Sequence, residues 1–181
     1  MQLDHDAELM QRVADGDSAH FQDLFERHYR RAVAIAYRSL GDIDLAEDIA
    51  MEAFGKIYEA RRSYSPKAKF STFLFRVVVN LCLNAAKRRR TVAFEVLDES
   101  RFSSPESDPA VAAHRKEVGE AVRTAVLSLP ANQRIAIVLT RYESMSYAEA
   151  AELLNVSVGA LESLLHRAKE NLRKKLRGMV E

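Results

Sequence analysis

Cysteine, glycine and proline are scarce in this chain of 181 residues, and tryptophan is absent. A single cysteine, Cys82, excludes an internal disulfide, so we expect a reducing, cytoplasmic location. Six glycines and four prolines indicate an all-α fold. No apolar run approaches the roughly 18 residues of a membrane span, and the acidic N-terminus lacks a signal peptide's apolar segment. Membrane insertion is therefore not expected.

The chain also lacks the motifs of common catalytic and cofactor sites. Its five histidines are scattered and show no metal-ligand spacing. It has neither a glycine-rich phosphate loop nor a nucleophile elbow. We therefore predict no catalytic residue, no metal and no cofactor. Cys82 is interpreted as a small core residue on an apolar helix.

What the chain does contain is a strongly basic stretch over residues 61–90. This stretch holds nine lysines or arginines and no acid, although the net charge of the whole chain is +1. Residues 70–90 contain no glycine or proline, and their apolar side chains recur at helical spacing. This pattern predicts a long, largely buried helix. Its predicted buried stripe consists of Phe70, Leu74, Val77, Val78, Leu81 and Ala85.

The opposite face of this predicted helix has a composition suited to single-stranded nucleic acid. Its members are Phe73, Arg76, Asn80, Asn84 and Lys87. Cations attract phosphates, a ring stacks on bases and amides bind base edges. The alternative is a solvated basic helix end with one stray phenylalanine.

The preceding helix, predicted over residues 42–64, begins with an acidic face. Asp44, Asp48 and Glu52 follow at steps of four, so like charges stack on one side and repel by about 0.2–0.5 kcal/mol per pair. Capping and the helix dipole explain the first acids but not Glu52. The face is either a solvated surface or a docking surface for a basic partner.

These patterns divide the chain into two small helical domains. Four helices make up the first, residues 1–92. Residues 93–110 are rich in serine, proline and acids, and this composition predicts a flexible linker that reaches roughly 60 Å when extended. Residues 111–181 form the second domain, in which Pro130 is expected at the first position of a helix.

The second domain contains a helix-turn-helix pattern over residues 146–175. Ser146 and Glu149 form a capping box for a short helix, and Ser157 caps a long second helix after a turn at Asn155. The predicted buried stripe of the second helix consists of Leu161, Leu165, Ala168, Leu172 and Leu176. Small and basic residues on its outer face favour DNA binding, although such helix pairs also occur in other proteins.

The two stretches together resemble the sigma-70 family of bacterial transcription initiation factors, specifically its extracytoplasmic-function (ECF) group. Region 2 of that family has its counterpart in DLAEDIAMEAFGKIYEARRSY and FSTFLFRVVVNLCLNAAKRRR. Region 4 has its counterpart in LPANQRIAIVLTRYESMSYAEAAELLNVSVGALESLLHRAKENLRKKL. The order, the spacing and the missing middle domain are typical of the ECF group.

The resemblance implies a factor that directs core RNA polymerase to promoter DNA. Region 2 would bind the polymerase and would read and melt the −10 element. Region 4 would read the −35 element in the duplex. An anti-sigma factor is a further partner that the family suggests.

The resemblance also assigns residues to these roles. Core polymerase binding is assigned to Asp44, Glu47, Asp48, Met51 and Glu52. Binding of −10 DNA is assigned to Lys69, Phe70, Ser71, Phe73, Arg76, Asn80, Asn84, Lys87 and Arg88, with the loop Ser65–Lys69 as the expected pocket wall. Binding of −35 DNA is assigned to Ser157, Gly159, Ala160, Glu162, Ser163, His166, Arg167 and Lys174.

Three departures from the family pattern bear on these roles. Met51 stands where many relatives have glutamine, and Phe73 stands where many have tryptophan. Glu162 and Leu164 stand where relatives often have lysine and arginine, so the recognition helix has two cations fewer. Glu162 either lies at the edge of the DNA or accepts a hydrogen bond from a cytosine amino group.

Two other functions account for part of the sequence. A helix-turn-helix regulator with an N-terminal helical sensing domain explains residues 146–175 but not the basic stretch beside the acidic helix. A nucleic-acid enzyme needs clustered carboxylates for a metal or a histidine-based site, and the acids here line one helix without a matching group. We therefore predict an ECF sigma factor.

Overall fold

The computed structural model describes residues 4–65, 69–89 and 109–177, and the regular elements in these ranges are all helical. The α-helices are α1 (His5–Ala14), α2 (Ala19–Leu40), α3 (Ile43–Glu59), α4 (Phe70–Arg89), α5 (Pro109–Leu127), α6 (Ala131–Ile137), α7 (Tyr147–Leu154) and α8 (Val158–Leu176). A 3₁₀ turn, Arg61–Ser63, follows α3, and a π-helical turn, Val138–Tyr142, continues α6. The predicted all-α fold is confirmed.

Local sequence explains the junction between α2 and α3. Gly41 ends α2 in the left-handed conformation, with φ of 76°, which glycine adopts without steric cost. Asp42 then caps α3, because its carboxylate accepts a hydrogen bond from the Leu45 N–H at 3.0 Å. The helix predicted over residues 42–64 is shorter than expected. It ends at Glu59, and the 3₁₀ turn Arg61–Ser63 follows.

Two boundaries in the second half differ from prediction. Pro130 occupies the N-cap of α6 rather than its first helical position, because its ψ of 140° is extended. α5 begins at Pro109, inside the segment predicted as linker. Residues 93–108 of that segment lie outside the described residues.

The first four helices pack around one apolar core. α2 contacts α1, α3 and α4, and aromatic rings fill the junction between α2 and α3. The ring centroids of Phe25 and Phe54 lie 4.9 Å apart, as do those of Phe21 and Tyr58. Tilted rings at this separation add to the free energy gained by burying their apolar area.

α4 is buried on more of its circumference than the predicted stripe. Phe70, Leu74 and Val78 are fully buried as expected, whereas Val77, Leu81 and Ala85 are only half-buried. A second buried flank is formed by Phe75, Val79, Cys82 and Ala86. On this flank Phe75 lies against His28 and Arg31 of α2. α6 and α7 also contact α4, a packing that the periodicity of one helix does not reveal.

By length and composition, Phe70–Arg88 is apolar enough to cross a membrane, which the sequence analysis did not anticipate. In this fold, however, α1, α2, α3, α6 and α7 all pack against α4. We therefore interpret α4 as the core helix of the protein.

The second group of helices packs on the first. Leu161, Leu165 and Ala168 of α8 are buried as predicted, while Leu172 and Leu176 are half-buried. Buried apolar contacts continue without a break from the core of α1–α4 into that of α6–α8. The structure thus joins two units that the sequence predicts as separate domains on a linker.

Replacing Gly41 by alanine is expected to lower the free energy of unfolding by about 1–2 kcal/mol, because the left-handed conformation strains a residue with a Cβ. That Cβ would also lie 2.7 Å from Leu127 Cδ1, the flexible end of a side chain that can turn away. Gly55→Ala is the control, since a Cβ at Gly55 in the interior of α3 meets nothing within 4 Å. It should stabilise the protein by roughly 0.5–1 kcal/mol. Urea unfolding followed by circular dichroism measures both, and shifts of the same sign would contradict the backbone argument.

Candidate nucleic-acid interface

An acidic face covers the outer side of α3. Asp44, Glu47, Asp48 and Glu52 are exposed, and Met51, with 53% of its surface exposed, lies among them. Methionine is enriched at protein interfaces, and clustered charge steers a partner of opposite sign. The structure therefore brings the five predicted docking residues onto one accessible surface, which we call the acidic face.

A cation within α3 reduces the repulsion expected at Glu52. Lys56 Nζ lies 3.3 Å from Glu52 Oε1, one helical turn away, and both side chains are about half-exposed. Sequence reasoning missed this pair, although the i, i+4 spacing could have revealed it. Glu47 and Asp48 extend their field to α2, where burial first and then these two charges raise the pKa of Tyr29. The unpaired negative charge of the acidic face therefore comes mainly from Asp44, Glu47 and Asp48.

A polar stripe runs along α4 toward its C-terminal end. Asn80, Asn84, Lys87 and Arg88 are exposed on it, and Lys69 is exposed just before the helix begins. Amides and cations on one accessible stripe can bind base edges and phosphates together. This part of the predicted −10 surface is accessible in the structure.

Phe73 is half-buried against a second aromatic side chain. Its ring centroid lies 5.6 Å from that of Tyr64, with the planes tilted by 55°. The Tyr64 hydroxyl is buried and has no hydrogen-bond partner among the described residues. Burial, followed by the charge of Asp4, raises the pKa of Tyr64. The two rings form an aromatic wall at the entry to α4, next to residues 66–68 of the predicted pocket loop, which lie outside the described residues.

Phe70 does not occupy the position predicted for a DNA contact. Its side chain is fully buried, and its ring centroid lies 5.4 Å from that of His28. The ring anchors the start of α4 in the core, so it offers no face to a base. Ser71, the next predicted contact, is half-buried.

Arg76 is engaged within the protein. Its guanidinium forms an ion pair with the Glu152 carboxylate of α7, and about half of each side chain is exposed. The Arg76 Nε is buried without a hydrogen-bond partner among the described residues. In this conformation the guanidinium of Arg76, a predicted −10 contact, is therefore engaged by a carboxylate of α7.

Two caps and a left-handed residue fix the helix-turn-helix as predicted. The Ser146 hydroxyl accepts from the Glu149 N–H at 3.2 Å, and the Glu149 carboxylate accepts from the Ser146 N–H at 2.9 Å. Hydrogen bonds from the side chain and then the backbone of Ser146 lower the pKa of Glu149. Asn155 has φ of 54°, and the Ser157 hydroxyl accepts from the Ala160 N–H at 3.2 Å.

The outer face of α8, which we call the recognition face, is open to solvent. Its exposed members include all the predicted −35 contacts: Ser157, Gly159, Ala160, Glu162, Ser163, His166, Arg167 and Lys174. Some of these side chains fold back on their own helix. Ser163 Oγ donates to the Gly159 carbonyl at 3.0 Å, and Arg167 Nε donates to the Ser163 carbonyl at 3.2 Å. Such exposed local contacts are weak enough for DNA to replace them.

Comparison with known proteins gives this arrangement a family. Residues 24–92 match the family Sigma-70 region 2, and residues 119–172 match Sigma-70, region 4. Both parts of the chain therefore fall in one class of protein, the sigma-70 factors. The ECF RNA polymerase sigma factor SigW of Bacillus subtilis is 31% identical over 179 residues, which cover 94% of this chain and 96% of SigW. Within the sigma-70 class, this chain belongs to the ECF RNA polymerase sigma factors.

Solved structures share the fold. CnrH, solved in complex with the cytosolic domain of CnrY, superimposes with a TM-score of 0.70 at 27% identity, over 97% of this chain and 99% of CnrH. The sigma factor RpoE of Bartonella quintana, solved with the anti-sigma factor NepR, has a TM-score of 0.68 at 22% identity. That likeness covers 87% of this chain and 96% of RpoE and concerns the fold. The predicted family and fold are confirmed.

Proposed function

We propose that this ECF sigma factor binds core RNA polymerase through the acidic face and directs it to promoter DNA. In this proposal residues 1–92 bind the polymerase and read and melt the −10 element. Residues 93–110 connect the two domains, and residues 111–181 read the −35 element. One observation carries the proposal. An accessible acidic face, an amide and cation stripe and an open recognition face lie on separate helices of one chain, α3, α4 and α8.

The chain itself would supply binding energy rather than chemistry. RNA synthesis belongs to the polymerase, so we propose no catalytic residue, no metal and no cofactor here. Polymerase and chromosomal DNA meet in the bacterial cytoplasm, which is the location we propose. A regulator with an N-terminal sensing domain would leave the match of residues 24–92 to region 2 without a role.

At the −10 element, binding to α4 would favour the melted state. Asn80 and Asn84 are exposed and offer donors and acceptors to base edges, while Lys87 and Arg88 attract phosphates. Base edges reach these side chains fully only after the strands separate, so binding shifts the equilibrium toward open DNA. The aromatic wall of Phe73 and Tyr64 provides a surface on which an unstacked base can lie.

At the −35 element, the N-terminal part of α8 would enter the major groove. Recognition helices place their N-terminal residues against base edges. The small side chains of Gly159 and Ala160 allow a close approach of the helix backbone, and Arg167 can bind guanine or phosphate.

An anti-sigma factor is part of the same proposal. CnrH, which resembles this chain over nearly its whole length, was solved with the cytosolic domain of a second protein, CnrY. A protein of that kind should inhibit transcription reconstituted with this chain. If a saturating concentration of that protein leaves transcription undiminished, it is not an anti-sigma factor for this chain.

The function is tested by reconstituted transcription with core polymerase and a promoter library. Specific transcripts should require this chain. The double variant Asp48→Lys, Glu52→Lys should bind the polymerase about tenfold more weakly, because two attractive charges become repulsive. The control, Glu8→Lys with Glu120→Lys, makes the same change of charge at exposed acids on α1 and α5. Equal binding by both double variants would remove the docking role, and an absence of specific transcripts would remove the function.

Melting is tested with Asn80→Ala on two templates. Loss of one or two hydrogen bonds to a base edge should reduce open-complex formation on duplex promoters about tenfold. The defect should shrink on a template already mismatched across the −10 element, because the strands no longer need separating. Permanganate footprinting measures the open complex, and Asn132→Ala, an exposed asparagine on α6, is the control. A defect of equal size on both templates would argue against melting.

Glu162 distinguishes two modes of −35 recognition. It is exposed and forms no hydrogen bond or ion pair with the described residues. Because DNA phosphates repel such an uncompensated carboxylate, we propose that Glu162 lies at the edge of the DNA. Glu162→Lys should then strengthen binding to all −35 sequences alike and steepen the salt dependence. Selection from randomised −35 elements measures this, with Glu120→Lys as the remote control. If one base pair instead loses about 1–3 kcal/mol of discrimination, Glu162 reads cytosine and the edge role is wrong.

A further inference from the structure

An apolar side chain lies exposed where the recognition face begins. Val158 is the first residue of α8, and 43% of its surface is exposed. It does not belong to the apolar core, which α8 joins through Leu161, Leu165 and Ala168. An exposed β-branched residue gains little from burial, and its intrinsic preference for a helix is weak. Packing within the chain therefore does not account for Val158.

The neighbouring Val156 differs, because the turn explains it. It follows the left-handed Asn155, and its N–H donates to the Ala151 carbonyl at 3.0 Å. Such a bond closes the C-terminal end of a helix, and an apolar residue at this position commonly packs back on that helix. Val158 lies beyond the Ser157 cap, inside the next helix. The turn therefore does not require a valine there.

The first turn of α8 offers few polar side-chain atoms to a partner. The Ser157 hydroxyl is engaged as the cap, since it accepts from the Ala160 N–H. Gly159 has no side chain, and Ala160 has only a methyl group. Ser163, on the second turn, donates to the Gly159 carbonyl. Val158 is thus the largest exposed side chain of the first turn, and its atoms are apolar.

The chemistry of the major groove indicates what such a side chain can contact. Recognition helices place their N-terminal residues against base edges there. Thymine presents a C5 methyl group in the major groove, whereas the other bases present hydrogen-bond donors and acceptors. A valine that covered a donor or acceptor would remove it from water without replacing its hydrogen bond, which costs free energy. Val158 therefore suits thymine and disfavours the other bases.

We propose that Val158 contacts a thymine methyl group in the −35 element and thereby sets the preference at one base pair. This inference rests on the proposed role of α8 in −35 recognition. Contact between the two apolar groups removes both from water, and burial of one methyl-sized group corresponds to about fourfold in affinity. Glu162 lies one turn farther from the N-terminus of α8, so its position at the edge of the DNA is compatible with this contact.

The test removes the methyl group from the DNA and the valine from the protein. The full-length chain, bound to core polymerase, is tested on a promoter recovered from the library. Each thymine of the −35 element, on either strand, is replaced singly by deoxyuridine, which lacks only the C5 methyl group. Fluorescence anisotropy at one salt concentration measures the affinity. At one position the substitution should weaken binding by the unaltered chain about fourfold.

Variants of the chain show whether Val158 makes this contact. Val158→Ala should bind the thymine promoter about fourfold more weakly and should no longer respond to deoxyuridine at that position. Val118→Ala is the matched control, because Val118 is 48% exposed on α5, and it should keep the full response. Val158→Thr, which keeps the branched shape, replaces Val158→Ala if circular dichroism shows that the latter is unfolded.

The outcomes separate this contact from the proposed function. If deoxyuridine weakens binding at no position, or if the folded Val158 variant responds to it as the unaltered chain does, the thymine contact is wrong. Promoter-specific transcription would persist in both cases and leave the proposed function intact. An absence of specific transcripts would instead remove the proposed function and the thymine contact together.

Discussion

The burial of α4 by helices from both halves of the chain is the constraint on which the other features depend. α4 must be apolar where α1, α2 and α3 pack against it, and also where α6 and α7 do. What remains for polar side chains is a narrow stripe that ends at Lys87 and Arg88. The residues suited to nucleic acid are therefore aligned in a row, because the core leaves them no other place. The same packing explains why α4 matches a membrane span in composition.

Features encoded by neighbouring residues could be predicted from the sequence. The Ser146–Glu149 capping box and the left-handed Asn155 depend on contacts within a single turn, and each lies where the residue types indicate. The acidic face and the recognition face could be predicted from amphipathic periodicity, which also indicates which side of a helix is exposed to solvent. Contacts between residues that lie far apart in the sequence produce no such local pattern. The Arg76–Glu152 pair spans 76 positions and the Arg31–Glu143 pair spans 112, and both depend on how completed helices pack.

Phe70 illustrates the limit of periodicity at the edge of a helix. The residue belongs both to the predicted buried stripe and to the predicted DNA surface, because an aromatic ring between a basic loop and an apolar helix suits either environment. In the fold Phe70 is fully buried, and its ring lies against that of His28 on α2. Phe73, three residues later, keeps part of its surface exposed and packs on Tyr64. Phe70 thus stabilises the core, whereas Phe73 keeps part of its ring accessible.

The position of Cys82 bears on how environmental stress can reach this protein. The only thiol of the chain lies fully buried in α4, and its burial raises its pKa to about 12, against a smaller opposing effect of Arg134. Oxidants and electrophiles attack the thiolate, which is scarcely populated at neutral pH under these conditions. While the core stays packed, peroxide or disulfide stress therefore has no accessible thiol on this chain. A redox signal that acts through a cysteine thiol must then be received by a different protein.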